Sequence, residues 1–146
     1  MLKINEPKQS KVPLCGFLFY FYGATYVTIE VFFRGRSHWS MFILGAICGI
    51  LIGQLNEHTP WELGFLWQCF LGMCIVTGFE LLWGLILNIW LQLGIWDYSH
   101  MWGNVLGQIC PLFSLCWFGV SGVAIVLDDY LRYWFFGEEK PRYKLV

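Results

Sequence analysis

Glu80 is the only charged residue between Leu63 and Leu93. A charge at the centre of a bilayer costs roughly 2.5–3.5 kcal/mol on insertion scales, so this carboxylate is expected to face protein or water, not lipid. There it could bind a proton, a cation or a polar substrate group. A low-dielectric setting disfavours the charged form of a carboxyl group, which suits proton coupling. Thr77, Glu80, Gly84 and Asn88 stand at i, i+3, i+7 and i+11 and share one helix face. Gly84 leaves room beside Glu80 for another helix. Such a stripe either holds helices together or lines a cavity.

A second polar group follows: Trp96-Asp97-Tyr98-Ser99-His100, then Asn104 and Gln108. Asn104 and Gln108 are four apart and share a face if a helix has begun there. Glu30 lies at the end of an earlier apolar run, with Arg34 four residues on, the favourable order for a helical ion pair. Tyr22 and Tyr26 precede Glu30 on the same face, as pocket lining or as interface residues. The candidate substrate- or ion-binding set is therefore Glu80, Glu30, Asn88, Asp97, Tyr98, Asn104 and Gln108.

Other chemistries lack their signatures. No GxxxxGK[ST] motif is present, so the chain has no phosphate-binding loop of that kind. GxSxG, HExxH and CxxC are also missing. The three histidines fall in separate breaks, which argues against a shared metal site. All six cysteines sit in apolar stretches and read as small buried hydrophobes. A formal net charge of -1 gives no nucleic-acid footprint. No cofactor is expected.

The elements that must position these groups are membrane helices. The 146-residue chain is 58% hydrophobic and only 13% charged, against about 25% charged in ordinary soluble domains. Mean hydropathy is +0.57. Four apolar segments, 13–33, 39–55, 63–93 and 105–127, are separated by charged or turn-like breaks at Arg34-Gly-Arg36, Asn56–Pro60 and Gly94. Each is long enough, or nearly so, to cross a ~30 Å hydrocarbon core. The third is too long for a straight crossing and must tilt, extend or break near Gly78. Residues 128–146 read as an interfacial tail, with Asp128 and Arg132 as i, i+4 partners. The expected fold is one all-α transmembrane bundle of about four spans.

Lys3, Lys8 and Lys11 precede the first segment, and Arg132, Lys140, Arg142 and Lys144 follow the last; only Arg34 and Arg36 lie in an intervening break. The positive-inside rule then puts both termini in the cytoplasm. Trp67 and Trp90 would lie about 34 Å apart on a continuous helix, marking two interfaces with Glu80 near midplane. Gly45, Gly49 and Gly53 form a GxxxGxxxG stripe suited to close packing, either within the chain or between copies in a homo-oligomer.

From Tyr22 onward the residues follow a family pattern. It comprises Gly23 with Glu30, Thr77-Gly78-Phe79-Glu80 with Gly84, Trp96-Asp97-Tyr98-Ser99, Asn104, Gly107-Gln108-Ile109-Cys110, and Phe113-Ser114 with Trp117. The chain resembles the small integral membrane proteins of the ABC-transporter type IV, or CmpB-like permease, family, most strongly from Thr77 to Trp117. The resemblance implies a multi-span fold in a bacterial inner membrane and a transport-associated role. With no ATP-binding motif here, it also implies a separate ATPase chain.

Three functions are then open. The first is a permease or channel-like component binding its cargo around Glu80. The second is a membrane enzyme acting on a lipid-like substrate with Glu30, Glu80 and Asp97. The third is an assembly subunit in which Glu80 only packs helices together.

Overall fold

The computed structural model describes residues 11–58 and 63–145. Lys3 and Lys8 of the charge count, and Thr59-Pro60 of the second break, lie outside the described residues. The described residues form four helices: α1 (Lys11–Arg34), α2 (Trp39–His58), α3 (Phe65–Gly84, continuing as a π-helical segment Leu85–Trp90) and α4 (Pro111–Phe136). No strand occurs among the described residues, as an apolar chain in a bilayer requires: without water, backbone polar groups must bond within the helix.

Among the described residues three helical stretches, Pro13–Arg34, Phe65–Trp90 and Pro111–Phe136, are long and apolar enough to cross a membrane. The apolar part of α2, Trp39–Leu55, is shorter and at the low end of what a crossing needs. Outward faces are apolar too: Phe32, Trp39, Trp67, Trp90 and Trp134 are all exposed. That is the surface expected of helices solvated by lipid.

The boundaries differ from expectation at three places. α3 runs without interruption through Gly78, and its regular winding ends at Gly84, where the π segment begins. Helical winding stops at Trp90, so Gly94 does not cap it. α4 begins at Pro111, not near Val105: a proline fits the first turn and forces the residue before it away from helical angles. Asn104 and Gln108 therefore sit in a loop, not on a helix face. α4 also continues through Asp128-Asp129 to Phe136, where Gly137 supplies the left-handed cap at φ 68°.

The helices pack chiefly as two neighbours, α1 on α2 and α3 on α4, with α2 touching α3 and α4 as well. One buried cluster joins Met41, Leu44, Cys48, Ile52, Val76, Trp96 and Ile125 across three helices and the loop. A smaller one joins Leu14, Leu18 and Tyr22 of α1 to Leu131 of α4.

The glycine stripe of α2 is used inside the chain. A Cβ at Gly45 would overlap Tyr26, one at Gly49 would overlap Tyr22, and one at Gly53 would overlap the Asp128 carboxylate. Two tyrosines of α1 and an acid of α4 thus occupy the face that self-association would have needed. Gly49→Leu should lower stability by about 1–3 kcal/mol, because the ring of Tyr22 must leave its place. Thermal unfolding of the detergent-solubilised protein checks this.

Candidate functional site

Glu80 is 3% exposed, in the middle of α3. Its Oε1 accepts a hydrogen bond from the Tyr98 hydroxyl at 3.1 Å, and its Oε2 accepts one from Trp117 Nε1 at 2.9 Å. Aromatic rings brace both donors. Tyr98 stacks on Phe113 at 4.7 Å, and Trp117 stacks on Tyr26 at 6.0 Å. The carboxylate is thus held by α4 and by the loop 91–110, with Tyr26 of α1 bracing Trp117.

The polar stripe of α3 faces those same partners along its length. Thr77 donates to Ser114 of α4 at 3.2 Å. The space beside Gly84 is filled by the Gln108 side chain, not by another helix. Asn88 donates to Gln108 Oε1 at 2.8 Å and to the Trp96 carbonyl at 3.0 Å, and accepts from the Ile95 N–H at 2.7 Å. Asn88 lies in the π segment, and these bonds turn the chain back on itself after Trp90. Trp96 Nε1 closes the knot on the Gln108 carbonyl at 2.9 Å.

Asn88→Ala would leave the Ile95 N–H and the Gln108 side chain short of partners. Each buried group left so costs about 1–3 kcal/mol. The expected result is faster hydrogen exchange across residues 91–110, with α1 and α2 unchanged, measured by mass spectrometry.

The remaining sequence candidates fall elsewhere. Asp97 lies in an exposed turn, where Oδ1 accepts the Ser99 N–H at 2.8 Å and Oδ2 accepts the Ser99 hydroxyl at 3.0 Å. Those two bonds, the backbone one first, hold its carboxyl below the usual range. Asn104 braces the same loop: it donates to the Ser99 and Met101 carbonyls and accepts from the Gly107 N–H. Gly107 takes φ 70°, and a Cβ there would crowd Asp97 Oδ1, so the place suits glycine. An enzyme using Glu30, Glu80 and Asp97 together would need a carboxylate that this turn has already engaged.

Glu30 pairs with Arg34 at 2.5 Å, as its spacing predicts, and its other oxygen accepts from Ser37 at 2.5 Å. Arg34 also donates to the Ile95 carbonyl, tying the end of α1 to the loop.

A second buried centre forms at Asp128 and Arg132, the i, i+4 partners that the sequence predicts in an interfacial tail. Asp128 has 0% exposure. Its Oδ1 accepts from the Tyr22 hydroxyl at 2.7 Å, and its Oδ2 accepts from Arg132 Nε at 2.5 Å. Glu138 approaches Arg132 at 3.6 Å. The missed donor at Glu80, Trp117, did leave a trace: Ser114 and Trp117 are three apart, matching Thr77 and Glu80 opposite.

The three buried carboxylates among the described residues therefore differ. Glu30 and Asp128 each have an arginine. Glu80 is bonded by two neutral donors, and no lysine, arginine or histidine among the described residues pairs with it. Among the described residues no group of three or more His, Cys, Asp or Glu could hold a metal ion.

The model of one protein family, described as Putative ABC-transporter type IV, matches residues 4–136. No curated protein and no solved structure matches the chain.

Proposed function

Because the chain belongs to the Putative ABC-transporter type IV family, we propose that it is a permease-like component whose intramembrane Glu80 binds the proton or cation that the protein handles. The observation that carries this reading is the uncompensated charge. A carboxylate buried between helices is costly unless paired, and its two hydrogen bonds come from neutral groups. A proton on the carboxyl, or a cation beside it, supplies what an arginine supplies at Glu30 and Asp128. Tyr98, which bonds Glu80, belongs to the loop 91–110, so movement of that loop would open a way to the carboxylate. On this reading the protein works in a bacterial inner membrane with both termini in the cytoplasm. Its energy would come from an ion gradient or from an ATPase on a separate chain.

Reconstitution into liposomes with an internal pH dye tests the proposal. Wild-type protein should move protons or exchange cations under an imposed gradient, and Glu80→Gln should fall to the level of empty liposomes. Equal flux from both would contradict it.

A second reading, the assembly subunit, is favoured by a specific observation: both Glu80 oxygens are bonded, and Thr77, Gly84 and Asn88 are all engaged in contacts. It predicts that Glu80→Gln retains full function and changes only stability.

A further inference from the structure

We propose that the ion handled at Glu80 is a proton and not a metal cation, and that the Tyr98 hydroxyl relays it between Glu80 and the water outside the loop 91–110. This rests on Glu80 being the ion-binding group; it names what Glu80 takes and from which side. The groups bonded to the carboxylate carry the choice. A divalent cation that leaves water must replace its hydration shell with oxygens, about six to eight of them. Among the described residues the carboxylate meets one hydroxyl oxygen, that of Tyr98, and one indole N–H, that of Trp117. An indole N–H only donates and has no lone pair to offer a cation. The Thr77 hydroxyl, one turn away, is engaged with Ser114. α3 winds regularly through this level, so its carbonyls already accept helix bonds. Tyr26 of α1, Cys48 of α2 and Val76 of α3 pack in one cluster with Tyr98 and Trp117, and all are neutral side chains. The acid of α1 four residues on from Tyr26, Glu30, is paired with Arg34. A proton asks for less: it needs one carboxylate oxygen and leaves the shape of the site unchanged.

The two bonds to Glu80 are not equivalent. Trp117 can only donate, so Oε2 stays an acceptor in both states of the acid. Tyr98 can both donate and accept. With Glu80 ionised, the tyrosine O–H points at Oε1, 3.1 Å away. With Glu80 protonated, the new Oε1–H donates to the Tyr98 oxygen, and the tyrosine O–H turns outwards. Passage between these states needs no tyrosinate. The Tyr98 oxygen takes a proton from a hydronium outside while its own O–H bond breaks and that proton bonds to Oε1. The net change is one proton moved from hydronium to carboxylate, with water left behind and the phenol restored.

The loop places that hydroxyl between the two phases. Gln108 fills the space beside Gly84, and Asn88 bonds Trp96 and Gln108, so the loop folds back into the bundle. Tyr98 thereby reaches Glu80 about 15 Å below the end of the helical winding at Trp90. Its ring is partly buried and held on Phe113 at 4.7 Å, while Asp97, Ser99 and His100 on either side are exposed. One end of the tyrosine is thus fixed at the carboxylate, and its backbone stands among polar residues that face outwards.

Proteoliposomes loaded with a pH dye, under a pH gradient in choline thiocyanate, test this. The anion crosses the bilayer to balance charge, and no metal cation is added. Wild-type protein should move protons there as fast as in sodium, potassium or magnesium salts, and Glu80→Gln should not. Flux that appears only when a metal cation is added overturns this inference and leaves Glu80 as the ion-binding group. No difference between wild type and Glu80→Gln in any salt overturns the underlying reading as well. Tyr98→Phe keeps the ring on Phe113 and removes only the hydroxyl, so its melting temperature in detergent should stay near wild type. Its flux should fall roughly 100-fold, the lower end of what a positioned proton-transfer group contributes. The sign separates a relay from a plug: a hydroxyl that merely closes the site would raise the flux once removed. Unchanged or raised flux in Tyr98→Phe overturns the relay. Wild-type flux should also be slower in deuterium oxide by more than the change in viscosity, a measurement that needs no variant to fold; a rate that follows viscosity alone overturns the relay too.

Discussion

Glu80→Gln is expected to leave the helical bundle intact and to abolish ion movement. Glutamine has the size of glutamate and keeps a carbonyl that can accept from Trp117 Nε1. Its amide N–H₂ can donate to the Tyr98 hydroxyl, which turns from donor to acceptor without moving its ring. Both contacts survive in kind, so circular dichroism and the melting temperature should stay close to wild type. What disappears is the titratable oxygen. Activity in reconstituted liposomes should therefore drop to background while the protein remains folded. Loss of fold together with activity would mean instead that the charge itself holds α3 to α4.

Asp128→Ala should be the most destabilising single change in the molecule. It removes the only carboxylate within 3 Å of Arg132 among the described residues and leaves the Tyr22 hydroxyl without its acceptor. Breaking a buried pair from one side costs about 3–5 kcal/mol, because the surviving charge stays buried. Glu138, at 3.6 Å, offsets part of this. Removing both charges with a Met at 128 and at 132 should recover much of the loss, since apolar replacements of a buried pair are often near neutral. Thermal melts in detergent of the two single variants and the double variant give the coupling between the sites.

The legible part of the fold came from runs of apolar residues. Four runs interrupted by Arg34-Gly-Arg36, by Asn56–Pro60 and by the polar stretch after Leu93 became four helices. Where local chemistry set the boundaries, the signal was present but competed with hydropathy. Pro111 starts α4, although Val105 and Leu106 before it are apolar. Gly137 ends α4, although Asp128-Asp129 looked like the water boundary. That second error has a clear physical source. A pair of acids reads as exposed unless a partner is known, and the partner of Asp128 is Tyr22, 106 residues earlier. No spacing rule reaches that far.

The candidate site divides in the same way. The face shared by Thr77, Glu80, Gly84 and Asn88 follows from helical period alone, and all four do point at α4 and the loop. Loop residues were harder to read. Tyr98 reaches Glu80, whereas its neighbours Asp97 and Ser99 bond to each other within one turn. Alternation along three residues decides that, and it depends on the Asn88 and Gln108 bonds that fold the loop.

The central claim is that Glu80 is a chemically reachable group and not only a strut. Labelling with a membrane-permeant carbodiimide tests it most directly, because the reagent needs an accessible carboxyl in its protonated form. Native protein in liposomes would be treated, digested and mapped by mass spectrometry, with Glu80→Gln as the control. The account predicts an adduct on Glu80 that forms in the folded protein, faster at lower pH, and is slowed by the transported cation or substrate. An unlabelled Glu80 in folded protein, reacting only after denaturation, would contradict it and leave Glu80 as a packing residue.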